Sequence, residues 1–211
     1  MTLHDVRRDY SGEALPDDLA GFDPWLFLQG WVDDALEADE AEPTAMVLST
    51  SGADGRPRSR VVLAKEVTPS GIVFFTHLDS PKGREIAAAP GASAVFWWPT
   101  LMRQVRVVGA VERLTREDDE AYFASRPRPS QVGAWASHQS APLASREDLK
   151  KAVAEAESRF SGGPVPCPPN WGGYRIVADE IEFWQGQPSR LNDRVRCTVD
   201  SDGWSCTRLQ P

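Results

Sequence analysis

Cysteine is scarce in this chain of 211 residues: Cys167, Cys197 and Cys206 are odd in number and form no Cys-x-x-Cys pair. That speaks against a disulfide framework and against a structural zinc site, which draw on spaced or even sets of cysteines. Histidine is equally rare. His4, His77 and His138 lie far apart with no His-Glu-x-x-His, so no metal is expected. No run approaches the roughly 18 apolar residues of a membrane span. The opening Met-Thr-Leu-His-Asp-Val-Arg-Arg-Asp-Tyr has no apolar signal-peptide core. The expectation is therefore a cytoplasmic protein with no membrane partner. Positive charge is in deficit, and a formal charge of −8 disfavours general nucleic-acid binding, which needs a basic footprint. No nucleophile–base pairing stands out, so hydrolysis of the serine or cysteine type has little support.

What is present suits one well-cored domain, with 41% hydrophobic residues. Residues 1–22 are polar and without a clear period, and read as a flexible arm; 23–211 read as a single domain. Asp23-Pro24 is an N-cap followed by the first helical position, and Trp25, Leu28, Trp31, Val32, Ala35 and Leu36 follow at helical spacing, predicting a helix near 24–40. From 44 to 114 the pattern turns to short β segments: 44–50, 58–67, 72–77, 92–98 and 103–114, linked by turn residues, with a short helix at about 82–89. Thr115-x-x-Asp118 and Ser145-x-x-Asp148 resemble capping boxes and predict helices near 116–125 and 146–160, with a shorter one near 129–136. The proline-rich 162–169 predicts an extended loop. Strands return at 173–177, 180–186, 193–198 and 203–208. The fold class is α+β and mainly β, an antiparallel barrel or strongly coiled sheet with peripheral helices.

Charge is unevenly placed. Residues 56–65 carry Arg56, Arg58, Arg60 and Lys65 against no acid, inside an acidic protein; this fits a small anionic ligand, or else a solvated basic strand face. Arg60 and Lys65, five apart, point to opposite faces of a regular strand, so they serve different groups or a bulge brings them together. Ser80-Pro-Lys82-Gly-Arg84 opens the short helix, where free N–H groups favour a phosphate. Tyr122 and Arg126 sit four apart, close to Arg128 and Ser130, an arrangement for a second phosphate or simply cations at a helix C-terminus. Gln104 and Gln139-Ser140 are neutral hydrogen-bonders suited to a heteroaromatic edge. Arg190 and Arg194 follow the aromatic 184 and offer two guanidinium forks beside a tryptophan, or a pair of surface arginines in a turn. Anion grips and ring contacts without acid–base residues fit redox chemistry by a bound cofactor.

The motifs Arg60-Val-Val-Leu-Ala-Lys65, Ser125-Arg-Pro-Arg128, Gln131-Val-Gly-Ala-Trp135, Trp171-Gly-Gly-Tyr174 and Ile181-Glu-Phe-Trp-Gln-Gly186 come in this order. With them the chain resembles the pyridoxine/pyridoxamine 5′-phosphate oxidase family from Arg7-Arg8-Asp9-Tyr10 to the terminal Arg208-Leu209-Gln210-Pro211. The resemblance implies an FMN-binding split β-barrel, Greek-key-like, working as a homodimer whose active sites use both subunits. It implies that Arg60, Val61, Leu63, Lys65, Phe75, Thr76, Lys82, Gln104, Gln139, Ser140, Trp184 and Arg194 hold FMN. It implies that Lys65, Tyr122, Arg126 and Ser130 grip the substrate phosphate. Arg190 and Asn192 would lie at the pyridine ring as the catalytic pair, and Arg7 and Tyr10 in an arm over the site. The implied reaction is hydride transfer from a phosphorylated B6 vitamer to FMN, with O2 as acceptor. Asn192 stands where the family usually has histidine, Pro81 where it has arginine and Phe75 where tyrosine is common. A related flavin oxidase of the phenazine-biosynthesis type and a non-catalytic flavin or pyridoxal-phosphate binder are the competing readings.

Overall fold

Asp23 and Pro24 begin the first helix of the computed structural model, which describes residues 9–211. Arg7 lies outside the described residues. The Asp23 carboxylate accepts from the Trp25 and Leu26 backbone N–H groups at 2.9 and 3.1 Å, and Pro24 needs no donor there. Helix α1 (Pro24–Glu37) buries Trp25, Leu28, Trp31 and Ala35. It stops short of residue 40, because Asp39 takes a left-handed φ of 57°.

Nine strands form one antiparallel sheet among the described residues: β1 (Ala45–Ser51), β2 (Pro57–Leu63), β3 (Glu66–Thr68), β4 (Gly71–His77), β5 (Gly91–Trp98), β6 (Arg103–Arg113), β7 (Trp171–Gln185), β8 (Asp193–Asp200) and β9 (Gly203–Leu209). The order is β2-β1-β5-β6-β7-β4-β3, and β8 with β9 branches from β7. The segment 58–67, expected as one strand, is two. β2 ends at Leu63, and Lys65 donates its backbone N–H to Val73 of β4 rather than continuing along β1. The two strands expected at 173–177 and 180–186 are one, running past a bulge that leaves Asp179 unpaired between Ala178 and Glu180. Across from it Gly109 admits no side chain, since a Cβ there would meet the Val177 oxygen at 2.0 Å.

Four more helices lie around the sheet. They are α2 (Pro81–Ala88), α3 (Arg116–Ser125), α4 (Arg128–Ala136) and α5 (Arg146–Arg159). Thr115 and Asp118 form the expected capping box on α3, and Ser145 caps α5. Fully buried Leu28, Leu48, Phe74, Phe96, Ile176 and Phe183 anchor the main core between α1 and the sheet. A second, smaller core under α3–α5 holds Phe123, Val132, Ala156 and Trp171. No helix among the described residues is long and apolar enough to cross a membrane.

Two expectations meet new facts at the ends of the chain. Residues 12–22 lie against the sheet: Gly12 donates to the Gly186 carbonyl at 3.1 Å and Leu15 is buried. Cysteine scarcity argued against disulfides, yet Cys197 and Cys206 are bonded to each other. The reason is register. β8 and β9 place the two residues directly opposite, a pairing that residue spacing does not disclose.

Candidate functional site

A cleft of about 960 Å³ opens between the end of β4, the start of α2 and the α3–α4 corner. Of the residues expected at the cofactor, Arg60, Val61, Leu63, Lys65, Phe75, Thr76, Lys82, Gln139 and Ser140 line it. So do Tyr122, Arg126 and Ser130, with Lys65 the expected phosphate grip. Lys82 lies at its buried end. Ser80 caps α2 and Gly83 lets the helix close on Leu78, where a Cβ would meet the carbonyl oxygen at 2.1 Å. The Lys82 ammonium donates to Gln139 Oε1 at 2.6 Å and Thr76 Oγ1 at 2.9 Å. Burial, and then the nearby Arg60 charge, lower its pKa to about 8, with Glu85 acting the other way.

One wall of the cleft is aromatic. Tyr122 stacks on Phe75 with centroids 4.0 Å apart, and Phe75 stacks in turn on Trp171 at 5.3 Å. Arg126, one residue past the end of α3, lies over the Trp171 ring at 4.8 Å. Its buried Nη1 has no partner among the described residues. Burial pulls the Arg126 pKa down, opposed by Tyr122, and burial raises the Tyr122 hydroxyl. An unpartnered guanidinium nitrogen beside Tyr122 and Ser130 is what an arriving anion would satisfy.

Arg60 and Lys65, expected on opposite strand faces, both reach the cleft because the strand breaks at Ala64. Arg60 is paired: its guanidinium donates to Thr50 Oγ1 at 2.5 Å and to Glu85 Oε2 at 2.8 Å. Burial works to raise the Glu85 carboxyl, but the hydrogen bonds from Thr50 and Arg60 outweigh it and hold it below the usual carboxylate value. Lys65 is exposed.

The remaining expected residues are elsewhere in the chain. Gln104 pairs in register with Trp184, and Trp184 with Arg194, where β6, β7 and β8 run side by side. Tyr10 meets the Trp184 ring edge-on at 5.9 Å, and Trp97 lies 6.0 Å from it. Arg194 donates to Glu182 Oε1 through Nε at 3.0 Å and Nη2 at 2.7 Å. Arg190 is exposed at a positive φ of 62°. Asn192 accepts from the Gln187 backbone N–H at 3.0 Å and donates to the Arg190 carbonyl at 3.2 Å, so its amide holds the turn. None of these six residues lines the cleft of its own chain. The expected site thus falls into two clusters, because β7 gives one half of its length to β4 and the other to β8.

Residue reading missed Glu85, Glu182, Thr50 and His77. Glu85 had a signal: three positions after Lys82 on a helix, it shares Lys82's face. His77 lines the cleft, and burial lowers its pKa. No sequence pattern marked it.

A curled antiparallel sheet with peripheral helices and a cation-lined cleft defines a split barrel of the flavin-binding class, and solved structures share it. The chain superposes on PhzG from Burkholderia lata 383, solved with tetrahydrophenazine-1-carboxylic acid, with a TM-score of 0.88 and 33% identity over 95% of this chain and 100% of that one. A pyridoxamine 5′-phosphate oxidase-related, FMN-binding protein from Nostoc punctiforme shares the fold, with a TM-score of 0.70 and 16% identity over 90% of this chain and 99% of that one. Residues 32–160 match the family model for pyridoxamine 5′-phosphate oxidase, and 171–211 match the pyridoxine 5′-phosphate oxidase C-terminal dimerisation region. Similar proteins named pyridoxine/pyridoxamine 5′-phosphate oxidase occur in Rubrobacter xylanophilus, 49% identical over 99% of this chain and 96% of the relative, and in Ectopseudomonas mendocina, 45% identical over 100% and 99%. The chain belongs to the pyridoxamine 5′-phosphate oxidase family of FMN-dependent oxidoreductases.

Proposed function

We propose that this protein oxidises pyridoxine 5′-phosphate and pyridoxamine 5′-phosphate to pyridoxal 5′-phosphate, with O2 as the final acceptor and, for the amine, hydrolysis of the resulting imine by water with release of ammonia. The observation that carries this reading is the convergence of Lys65, Tyr122, Arg126 and Ser130 on the same cleft as Arg60, Lys82 and Gln139. One group of donors suits a substrate phosphate and the other suits the phosphate of FMN. The residues fit that cofactor: two cations, Thr76 and Ser140 hydroxyls and the Gln139 amide form a donor set for a phosphate and a heteroaromatic edge. When bound, FMN would supply the two-electron redox chemistry of the oxidation, with O2 as final acceptor and hydrogen peroxide as its product.

The chain's own residues orient and enclose. Arg126 and Lys65 fix the phosphate end of the substrate as charge-assisted donors, with Tyr122 and Ser130 as neutral ones. The Phe75–Tyr122–Trp171 stack gives the site an apolar wall that keeps water off. The residues assigned to the site supply orientation rather than acid–base groups, so positioning carries the catalysis and the proton lost along with the hydride passes to solvent. The matched dimerisation region supports reading the protein as a homodimer, and in that assembly the 187–192 turn of one protomer would serve the cleft of the other. Arg190 and Asn192 then meet the pyridine ring, and Gln104, Trp184 and Arg194 complete the cofactor site.

The similarity to PhzG supports a second reading, a flavin oxidase acting on a phenazine precursor. A carboxylate such as that of a phenazine substrate offers two oxygens to the Lys65–Tyr122–Arg126–Ser130 group, where a phosphate offers three. The deciding experiment is the visible absorbance of the FMN-loaded protein under anaerobic conditions, before and after pyridoxine 5′-phosphate. Bleaching that recovers in air supports the proposal. A flavin that stays yellow with pyridoxine 5′-phosphate but bleaches with tetrahydrophenazine-1-carboxylic acid supports the second reading. Binding without bleaching by either describes a non-catalytic carrier.

A further inference from the structure

Each of the two arginines assigned to the cofactor is held by a buried glutamate. Glu85 is 6% exposed, and its Oε2 accepts from Arg60 Nη2 at 2.8 Å and from Thr50 Oγ1 at 2.5 Å. Thr50 also accepts from Arg60 Nη1 at 2.5 Å, closing a triangle of three side chains from β1, β2 and α2. Glu182 is 5% exposed, and its Oε1 takes the Nε and Nη2 of Arg194 side-on at 3.0 and 2.7 Å. Its other oxygen accepts from Arg106, which also bonds Glu180 at 2.7 Å.

Arg194 Nη1 also donates to the Gln210 carbonyl at 3.1 Å and Arg60 Nη1 to the Leu48 carbonyl at 3.3 Å. That leaves Arg60 its Nε and one Nη2 hydrogen, and Arg194 one hydrogen on each Nη. A guanidinium is a planar fork, so these bonds fix the direction of the donors that remain. Buried ion pairs contribute little net stability, because desolvation of both charges offsets their attraction. Their presence at two unconnected places, each on a cofactor arginine, therefore points to orientation. Glu85 has a further effect. It shares the α2 face with Lys82 and supplies the negative charge that lets Arg60 and Lys82 stand near each other as cations.

We infer that Glu85 and Glu182 are positioning residues that aim Arg60 and Arg194 at FMN before it binds. The inference rests on the reading that these two arginines hold the cofactor. Glu85 sets the phosphate end and Glu182 the end beside Trp184, so the two arginines are preorganised independently.

The test is titration of full-length apo-protein with FMN, read by quenching of flavin fluorescence. Glu85→Gln and Glu182→Gln are each expected to weaken FMN binding by about tenfold or more, as for loss of a charged hydrogen bond. Arg60→Ala with Glu85→Gln is expected to be no weaker than Arg60→Ala alone, and likewise Arg194→Ala with Glu182→Gln. The crossed double, Glu85→Gln with Arg194→Ala, is expected to multiply the two losses. Thr50→Val removes the shared hydroxyl without stranding a buried charge, so it serves if Glu85→Gln folds poorly; a loss of about threefold to tenfold is expected, again absorbed by Arg60→Ala. Glu85→Gln also strips Lys82 of its counter-charge, so the decline of FMN affinity with rising pH should begin at lower pH than in the parent protein. The groups that act there are Lys82, Arg60 and Glu85, with Arg58 at 3.5 Å from the other Glu85 oxygen, and the neighbouring His77, which Asp79, Arg126 and His138 also face. Affinity within twofold of the parent in the Gln variants, or matched doubles that multiply, overturns the inference and leaves the cofactor assignment standing. Arg60→Ala and Arg194→Ala without effect overturn both.

Discussion

Arg126→Ala separates the grip on the substrate from the grip on the cofactor. In the folded protein the Arg126 guanidinium lies 4.8 Å over Trp171 and 5.4 Å over Phe123, and its Nη1 has no described partner. Removing it forfeits cation–π attraction of about 0.5–2 kcal/mol. It also removes an unsatisfied buried donor that costs about 1–3 kcal/mol. These nearly cancel, so the melting temperature should hold. The substrate phosphate loses one charge-assisted donor, worth about 1.5–3 kcal/mol. At a factor of ten per 1.4 kcal/mol, that is roughly a tenfold to hundredfold rise in KM for pyridoxine 5′-phosphate. Lys65, Tyr122 and Ser130 remain, so turnover at saturation should fall little. The assay is steady-state peroxide formation with pyridoxine 5′-phosphate and, in parallel, with unphosphorylated pyridoxine. The expected result is a KM change for the phosphorylated substrate only, with FMN retained. An unchanged KM, or equal losses on both substrates, would refute the reasoning that Arg126 binds the phosphate.

Other perturbations have defined outcomes. The Lys82 ammonium, with its pKa lowered to about 8, is charged below that pH and neutral above it, so FMN affinity should fall as pH rises from about 7 to about 9.5; a flat fluorescence titration across that range would count against Lys82 as an anion ligand. Phe183→Ala empties a fully buried site packed edge-on by Phe22, Phe27 and Trp31, and should lower unfolding free energy by about 3–5 kcal/mol in urea. Cys206→Ser opens the β8–β9 cross-link, which closes a loop with a sequence separation of 9. A loss of about 2–3 kcal/mol is expected, matched by adding reductant to the parent protein; a variant as stable as the oxidised parent contradicts this.

Helix starts were legible because their determinants are local. Asp23-Pro24, Thr115-x-x-Asp118 and Ser145-x-x-Asp148 satisfy backbone donors within one turn, and α1, α3 and α5 begin there. The break after Leu63 was not legible, since nothing in the apolar run Val61-Val62-Leu63-Ala64 marks it; the Lys65 N–H finds its acceptor on β4. The Cys197–Cys206 bond and the union of 173–177 with 180–186 likewise depend on which strand lies next door. At the site, the cations and Tyr122 were readable as residue types suited to anions. Their division into two clusters was not, because it follows from how β7 is shared between β4 and β8. Glu85 and Glu182 escaped for a related reason: an acid in a sequence declares its charge, not the arginine it will meet.

The bulge at Asp179 acts as a phase shifter for the whole molecule. Tyr174, Ile176 and Ala178 face the main core on even positions of β7, while Ile181 and Phe183 face it on odd ones. One extra residue converts the first parity to the second. Were Asp179 paired in a regular ladder instead of bulged out, the C-terminal half of the strand would turn over, sending Phe183 outward and driving Glu182 and Trp184 into the apolar interior. Asp179 is exposed, so its side chain is free to vary. Substitution or deletion at this position leaves Ile181 opposite Val107 and Phe183 opposite Val105, whereas one residue gained or lost within the paired stretch beyond it turns the C-terminal half of the strand over.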